Sequence, residues 1–196
     1  MTAGTTAIEA EYKPGKSIHE QKDDAISNLD KVLADTVAKI KADPTLTDAE
    51  KTAQEAAATA EKNNGVEAIN AATTPEAIRK AVADGTTAIE AEYKPGKSVA
   101  DQKTEAKADL DKVLADTVAK IKADPTLTDA EKTAQENAAT AEATKGKEAI
   151  DRAENAQGIA NAVTAGTTAI EAEYKPGKSV TDQKTEAIAN LDKVLA

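Results

Sequence analysis

The segment Ala-Gly-Thr-Thr-Ala-Ile-Glu-Ala-Glu-Tyr-Lys-Pro-Gly-Lys-Ser at 3–17 returns at 84–98 with Ala3 replaced by Asp84, and at 165–179 unchanged. From Gly4 to Gly85, and again from Gly85 to Gly166, is 81 residues. The stretch 29–55 is identical to 110–136. A tandem array at fixed period buries its apolar surface unit by unit, so the period rather than the total length sets the architecture. The chain therefore reads as a stretch of a longer array. Residues 1–16 are expected to end a preceding repeat, 17–97 and 98–178 to form two repeats, and 179–196 to start a following one.

Within one period the helix signals come in a fixed order. Lys13-Pro14-Gly15-Lys16 places Pro and Gly at the two central positions of a turn, which suits type II. Ser17 with Glu20 forms a capping box. Ile18, Ala25, Ile26, Leu29, Val32, Leu33, Val37 and Ile40 then recur at threes and fours, the stripe of one amphipathic helix. Pro44 ends it near Ala42, because a residue before proline avoids the α region. Lys107 stands in the next copy where Ile26 stands in the first, and is expected at the stripe's edge with its stem along it. Thr47 with Glu50 is a second capping box and opens an alanine-rich helix, which Asn63-Asn64-Gly65 should kink or bring close to a neighbour. Thr74-Pro75-Glu76 reads as cap, first-turn proline and acid, and opens a third helix expected to reach Tyr93. Its stripe is Ile78, Val82, Gly85 and Ile89. Three stripes that bury one another make a three-helix bundle.

Composition narrows the functions. There is no Trp, Phe or Cys, one Met and three Tyr, so the core is built from Ala, Val, Ile and Leu. Absence of Cys excludes disulfides and thiolate metal sites. A net charge of −10 argues against nucleic acid and against anionic lipid surfaces, both of which need clustered Lys and Arg. No apolar run approaches a membrane span of about 20 residues, so no membrane contact is expected within the stretch.

Thr47-Asp48-Ala49-Glu50-Lys51, then Ile69-Asn70-Ala71-Ala72-Thr73, then Val82 with Gly85 and Ile89, resemble the helical repeats of unknown function in giant cell-wall-anchored surface proteins of staphylococci, streptococci and lactobacilli. The large extracellular-matrix-binding proteins are among these. The resemblance covers essentially the whole chain. It implies an all-α fold of spectrin-like three-helix repeats stacked end to end into a rod, in an extracellular protein held at a Gram-positive cell wall. The Lys-Pro-Gly-Lys stretch departs from the spectrin pattern, in which the last helix runs straight into the next repeat.

Candidate residues are few. His19 is the single histidine, and Ala100 and Thr181 hold its slot in the other copies, so it is expected to face solvent. Asp23-Asp24, Asp30 with Asp35, and Glu9 with Glu11 alternate with Lys22, Lys31 and Lys39, as on a solvated helix face. No calcium-loop spacing, phosphate loop or nucleophile elbow is present, so no catalytic, metal or cofactor residue is assigned. The candidate positions are structural. Tyr12, Tyr93 and Tyr174, with Pro14-Gly15, Pro95-Gly96 and Pro176-Gly177, are expected to form junctions, the tyrosine plugging them with its hydroxyl on water or backbone. Gly65, Gly85, Gly146 and Gly166 are expected at close helix crossings.

Two function classes follow, and no residue set supports a third, enzymatic one. One is a stalk that holds a binding region away from the cell wall, with neighbouring repeats as its partners. The other is a module that itself binds a host matrix or serum protein or another cell, with selectivity in 56–84 and 137–165. The stalk requires an extended shape. Helices of the predicted length make a rod of ~100 Å, with a radius of gyration near ~29 Å, against ~16 Å for a compact globule of this length. Small-angle scattering should return the larger value; the smaller one would remove the stalk reading.

Overall fold

The computed structural model describes residues 15–195, and every regular element among them is an α-helix. By contact these residues fall into two units. One is Asp48–Pro95 with the stretch ending at Asp43; the other is Gly96–Ala196 with the short stretch Pro44–Thr47. The expected end of a preceding repeat, with Tyr12 and Pro14, lies outside the described residues apart from Gly15 and Lys16.

The first unit contains α1 (Ile18–Ala42), α2 (Asp48–Ala71) and α3 (Pro75–Ala91). Each packs against the other two. Lys22 Nζ, near the start of α1, donates to the Asn70 carbonyl near the end of α2 at 2.7 Å, and Lys51 at the start of α2 donates to the Lys41 carbonyl at 3.0 Å. The two helices therefore run antiparallel, as a five-residue connection demands. The ends form where side chains supply what the backbone lacks. Ser17 Oγ accepts from Glu20 N–H while the Glu20 carboxylate accepts from Ser17 N–H. Thr74 Oγ1 accepts from Ala77 N–H, with Pro75 in the first turn. Helix α2 runs unbroken through Asn63-Asn64-Gly65. Helix α3 stops at Ala91, before Tyr93, because Lys94 precedes a proline and must leave the α region.

The core of this unit is Ala25, Leu29, Ala58, Ile69, Ala72, Ile78, Ala81 and Ile89. At its centre Leu29 is fully buried in a notch cut by two glycines. A Cβ built on Gly65 would lie 2.7 Å from Leu29 Cδ1, and one on Gly85 would lie 3.2 and 3.3 Å from the two Leu29 methyl carbons and 3.5 Å from Gly65 Cα.

In the second unit α4 (Val99–Ala123), α5 (Asp129–Arg152) and α6 (Ala156–Ala172) build the same bundle. Leu110 takes the place of Leu29, over Gly146 and Gly166. Thr128 and Glu131 form the full capping box of α5, and Asn155 Oδ1 accepts from Gly158 N–H at the start of α6. Lys107 is half-buried and ion-paired with Asp151 on α5. A last helix, α7 (Val180–Leu195), keeps Ile188, Leu191, Val194 and Leu195 exposed. Among the described residues no helix is long and apolar enough to cross a membrane.

The notch generates a graded expectation. Alanine gains about 1 kcal/mol over glycine in helix propensity. At Gly85 that gain roughly offsets a contact that Leu29 relieves by a small shift. At Gly65 the Cβ overlaps Leu29 outright, so Gly65→Ala should destabilise the first unit more than Gly85→Ala. Gly85→Leu should cost a further ~1–3 kcal/mol by overpacking. Urea unfolding checks the order; a neutral Gly85→Leu would contradict the notch.

Candidate functional site

The residues that repeat with the most hydrogen bonding surround the Asp-Pro-Thr-Leu-Thr loops at 43–47 and 124–128. The second loop shows the whole arrangement. Asp124 is the C-cap of α4 and only 7% exposed. Its Oδ1 accepts from Thr126 N–H at 2.8 Å and from the Thr126 hydroxyl, and its Oδ2 accepts from the Tyr174 hydroxyl at 3.0 Å. These donors hold the Asp124 carboxyl below its ordinary range, the Thr126 hydroxyl most, then the Thr126 N–H, with Tyr174 a smaller contributor. The same contact raises Tyr174, because the phenol's proton is held by the carboxylate. Thr126 in turn accepts from Gly177 N–H on its hydroxyl at 3.0 Å and from the Gln183 side chain on its carbonyl at 2.7 Å. Gln135, on α5, pairs both ends of its amide with the backbone of Lys175, at 2.8 and 3.0 Å.

The first unit repeats its share: Tyr93 donates to Asp43 at 3.0 Å, and Gln54 pairs with Lys94 at 2.8 and 3.0 Å. The half-buried tyrosine hydroxyls thus reach a carboxylate rather than water or backbone. The type II turn expected at Pro-Gly does not form: no described glycine has positive φ. The chain leaves α3 and α6 without regular structure, tied down by Gln54 and Gln135. Gly96 and Gly177 meet a different need. A Cβ on Gly96 would stand 2.3 Å from the Thr45 carbonyl oxygen, and one on Gly177 2.3 Å from that of Thr126. Close backbone approach, not a left-handed turn, requires glycine there. Among the described residues nothing lies within 4 Å of such a Cβ on Gly15. Pro95 and Pro176 are exposed.

His19 is exposed, with Nε2 3.6 Å from Asp23. Among the described residues no group of His, Asp and Glu is placed to hold a metal ion, and no buried side-chain polar atom lacks a partner. Sequence reasoning assigned no role to Asp43, Thr45, Gln54 or their copies. Their signal was the exact identity of 29–55 with 110–136, which exceeds what a helix stripe requires.

A family model described as Domain of Unknown Function (DUF1542) matches residues 21–93 and again 102–176. The chain belongs to the DUF1542 family. No curated protein and no solved structure matches it. Each DUF1542 match takes in the aspartate loop, the glutamine, both notch glycines and the tyrosine of one bundle.

The shifted carboxylate gives a pH prediction. A carboxyl held low in the folded state adds stability that is complete above its unfolded pKa and lost as pH falls through the folded value. Thr126→Val should therefore lower the melting temperature at pH 7. That difference should shrink as pH falls below about 4, where an ordinary aspartate protonates. A non-zero difference constant from pH 7 to 2 would show that the stabilisation by Thr126 does not depend on the Asp124 charge.

Proposed function

We propose that this chain is a spacer: tandem DUF1542 bundles that hold a binding region of a Gram-positive surface protein away from its cell wall, without catalysing a reaction. The observation that carries this reading is the residue-for-residue repetition of one hydrogen-bonded arrangement. Tyr93 on Asp43 and Tyr174 on Asp124 have equal lengths, as do the Gln54 and Gln135 amide pairs. Such repetition keeps the bundles alike, as units placed in series require. The resemblance to cell-wall-anchored repeat proteins supports the location. The excess of acidic over basic residues keeps such an array soluble and self-repelling.

A second reading, that the bundles capture a matrix or serum protein, draws on the segments that differ. Helix α3 carries Arg79 and Lys80 where α6 carries Ala160 and Asn161, so the two bundles present different surfaces. Immobilised chain passed over with fibronectin, fibrinogen, collagen and serum albumin should retain none of them above a helical control protein of equal charge. Saturable binding that disappears at high salt would replace the spacer with the adhesive reading.

A further inference from the structure

Asn64-Gly65 is the single Asn-Gly pair in the chain, and the matching positions of the second bundle hold Lys145-Gly146. Such a pair carries its own chemistry. The main-chain nitrogen of Gly65 can attack Asn64 Cγ, because glycine has no side chain to hinder the approach. An N–Cγ bond forms, and the proton from the attacking nitrogen leaves with the side-chain nitrogen as ammonia. The product is a five-membered succinimide. Water then opens the ring at either carbonyl. One opening gives aspartate at 64. The other gives isoaspartate, in which the main chain runs through the side-chain carbons and is one carbon longer.

The closed bundle blocks this reaction. Helix α2 runs unbroken across the pair. There the Gly65 N–H points at the carbonyl of residue 61, four residues back. Ring closure needs the Gly65 nitrogen level with Asn64 Cβ, whereas a helical ψ keeps it to one side. The exposed Asn64 side chain also donates to Glu61 Oε2 at 3.3 Å, which draws it toward the preceding turn. Beneath the pair there is no spare room. Gly65 is buried, and its Cα lies 3.5 Å from where a Cβ on Gly85 would stand. An added main-chain carbon at 64 would shift the hydrogen-bond register of α2 and move the residue on which the two-glycine crossing depends. We propose that Asn64 is a spontaneous modification site, silent in the closed bundle, that records its opening: once isoaspartate forms, the first bundle cannot close again. The second bundle opens and closes unmarked, because lysine holds that place and pairs with Glu142 at 2.6 Å. The inference depends on the bundle geometry and not on the spacer role.

The test keeps the whole chain at neutral pH, in buffer and in guanidinium chloride, for equal times. Peptide mapping by mass spectrometry then measures aspartate and isoaspartate at 64. Loss of the Asn64 amide should be slower in buffer by more than about 10-fold, since only an opened helix reacts. After the denaturant is removed, NMR follows the Leu29 and Leu110 methyls. Leu110 should return in full, and Leu29 only in the fraction of chains without isoaspartate. Asn64→Gln lengthens the side chain past the five-membered ring and should restore both. Asn64→Asp, before any incubation, carries the charge without the extra carbon and should fold. Equal loss in buffer and in denaturant would overturn the proposal, as would no loss in either. So would Leu29 signals that return in isoaspartate chains, or that stay lost in Asn64→Gln. An Asn64→Asp chain whose first bundle stays open would place the damage in the charge and overturn the backbone argument.

Discussion

Everything in each bundle depends on how closely two helices can approach beneath one leucine. Without large aromatics, a three-helix core has little volume to fill, and the helices must come together until backbones nearly touch. Gly65 and Gly85 permit this, and Leu29 closes the gap from the third side. The alanines of α2 extend the close packing, with Ala58 fully buried beside Ile69. A bundle of this kind gains less per side chain from area than one built on Phe or Trp, and depends more on fit. The same arrangement at Leu110, Gly146 and Gly166 shows that fit, once reached, was copied whole.

Around this narrow core the polar groups act as fasteners at the ends of the helices. Asp124 caps α4, is oriented by Thr126, and receives the Tyr174 hydroxyl. One carboxylate thereby links the end of α4 to the chain leaving α6. Gln135 ties that same exit segment to α5. These bonds join residues 40 to 57 positions apart, so they fix the relation of helix ends rather than the helices themselves.

That distinction explains what could be read from the sequence. Helix starts at Ser17 and Thr74 were visible because a cap and its partner lie within three residues. The stop at Ala42 was visible because a proline acts on its neighbour. The Gly85 stripe came from periodicity alone. The Tyr93–Asp43 bond could not be read that way, since nothing local links residues 50 apart. The Pro-Gly turn failed for the same reason: position in a dipeptide suggested positive φ, while the actual demand on Gly96 comes from the carbonyl of Thr45. Nor did the sequence signal that Pro44–Thr47, which follows α1 directly, belongs by contact with the second unit.

The bond from Gly96 N–H to the Thr45 hydroxyl spans 51 residues, as does that from Gly177 to Thr126. Its partners recur at the period of the whole array. A gene encoding such an array can therefore lose or duplicate segments by recombination between copies, provided the exchange is in register. Each threonine then still finds a glycine at the right distance along the chain. An exchange out of register would set a side chain against the threonine carbonyl and leave the neighbouring aspartate without its tyrosine. The geometry of the loop thus suits any whole number of copies and no fractional one.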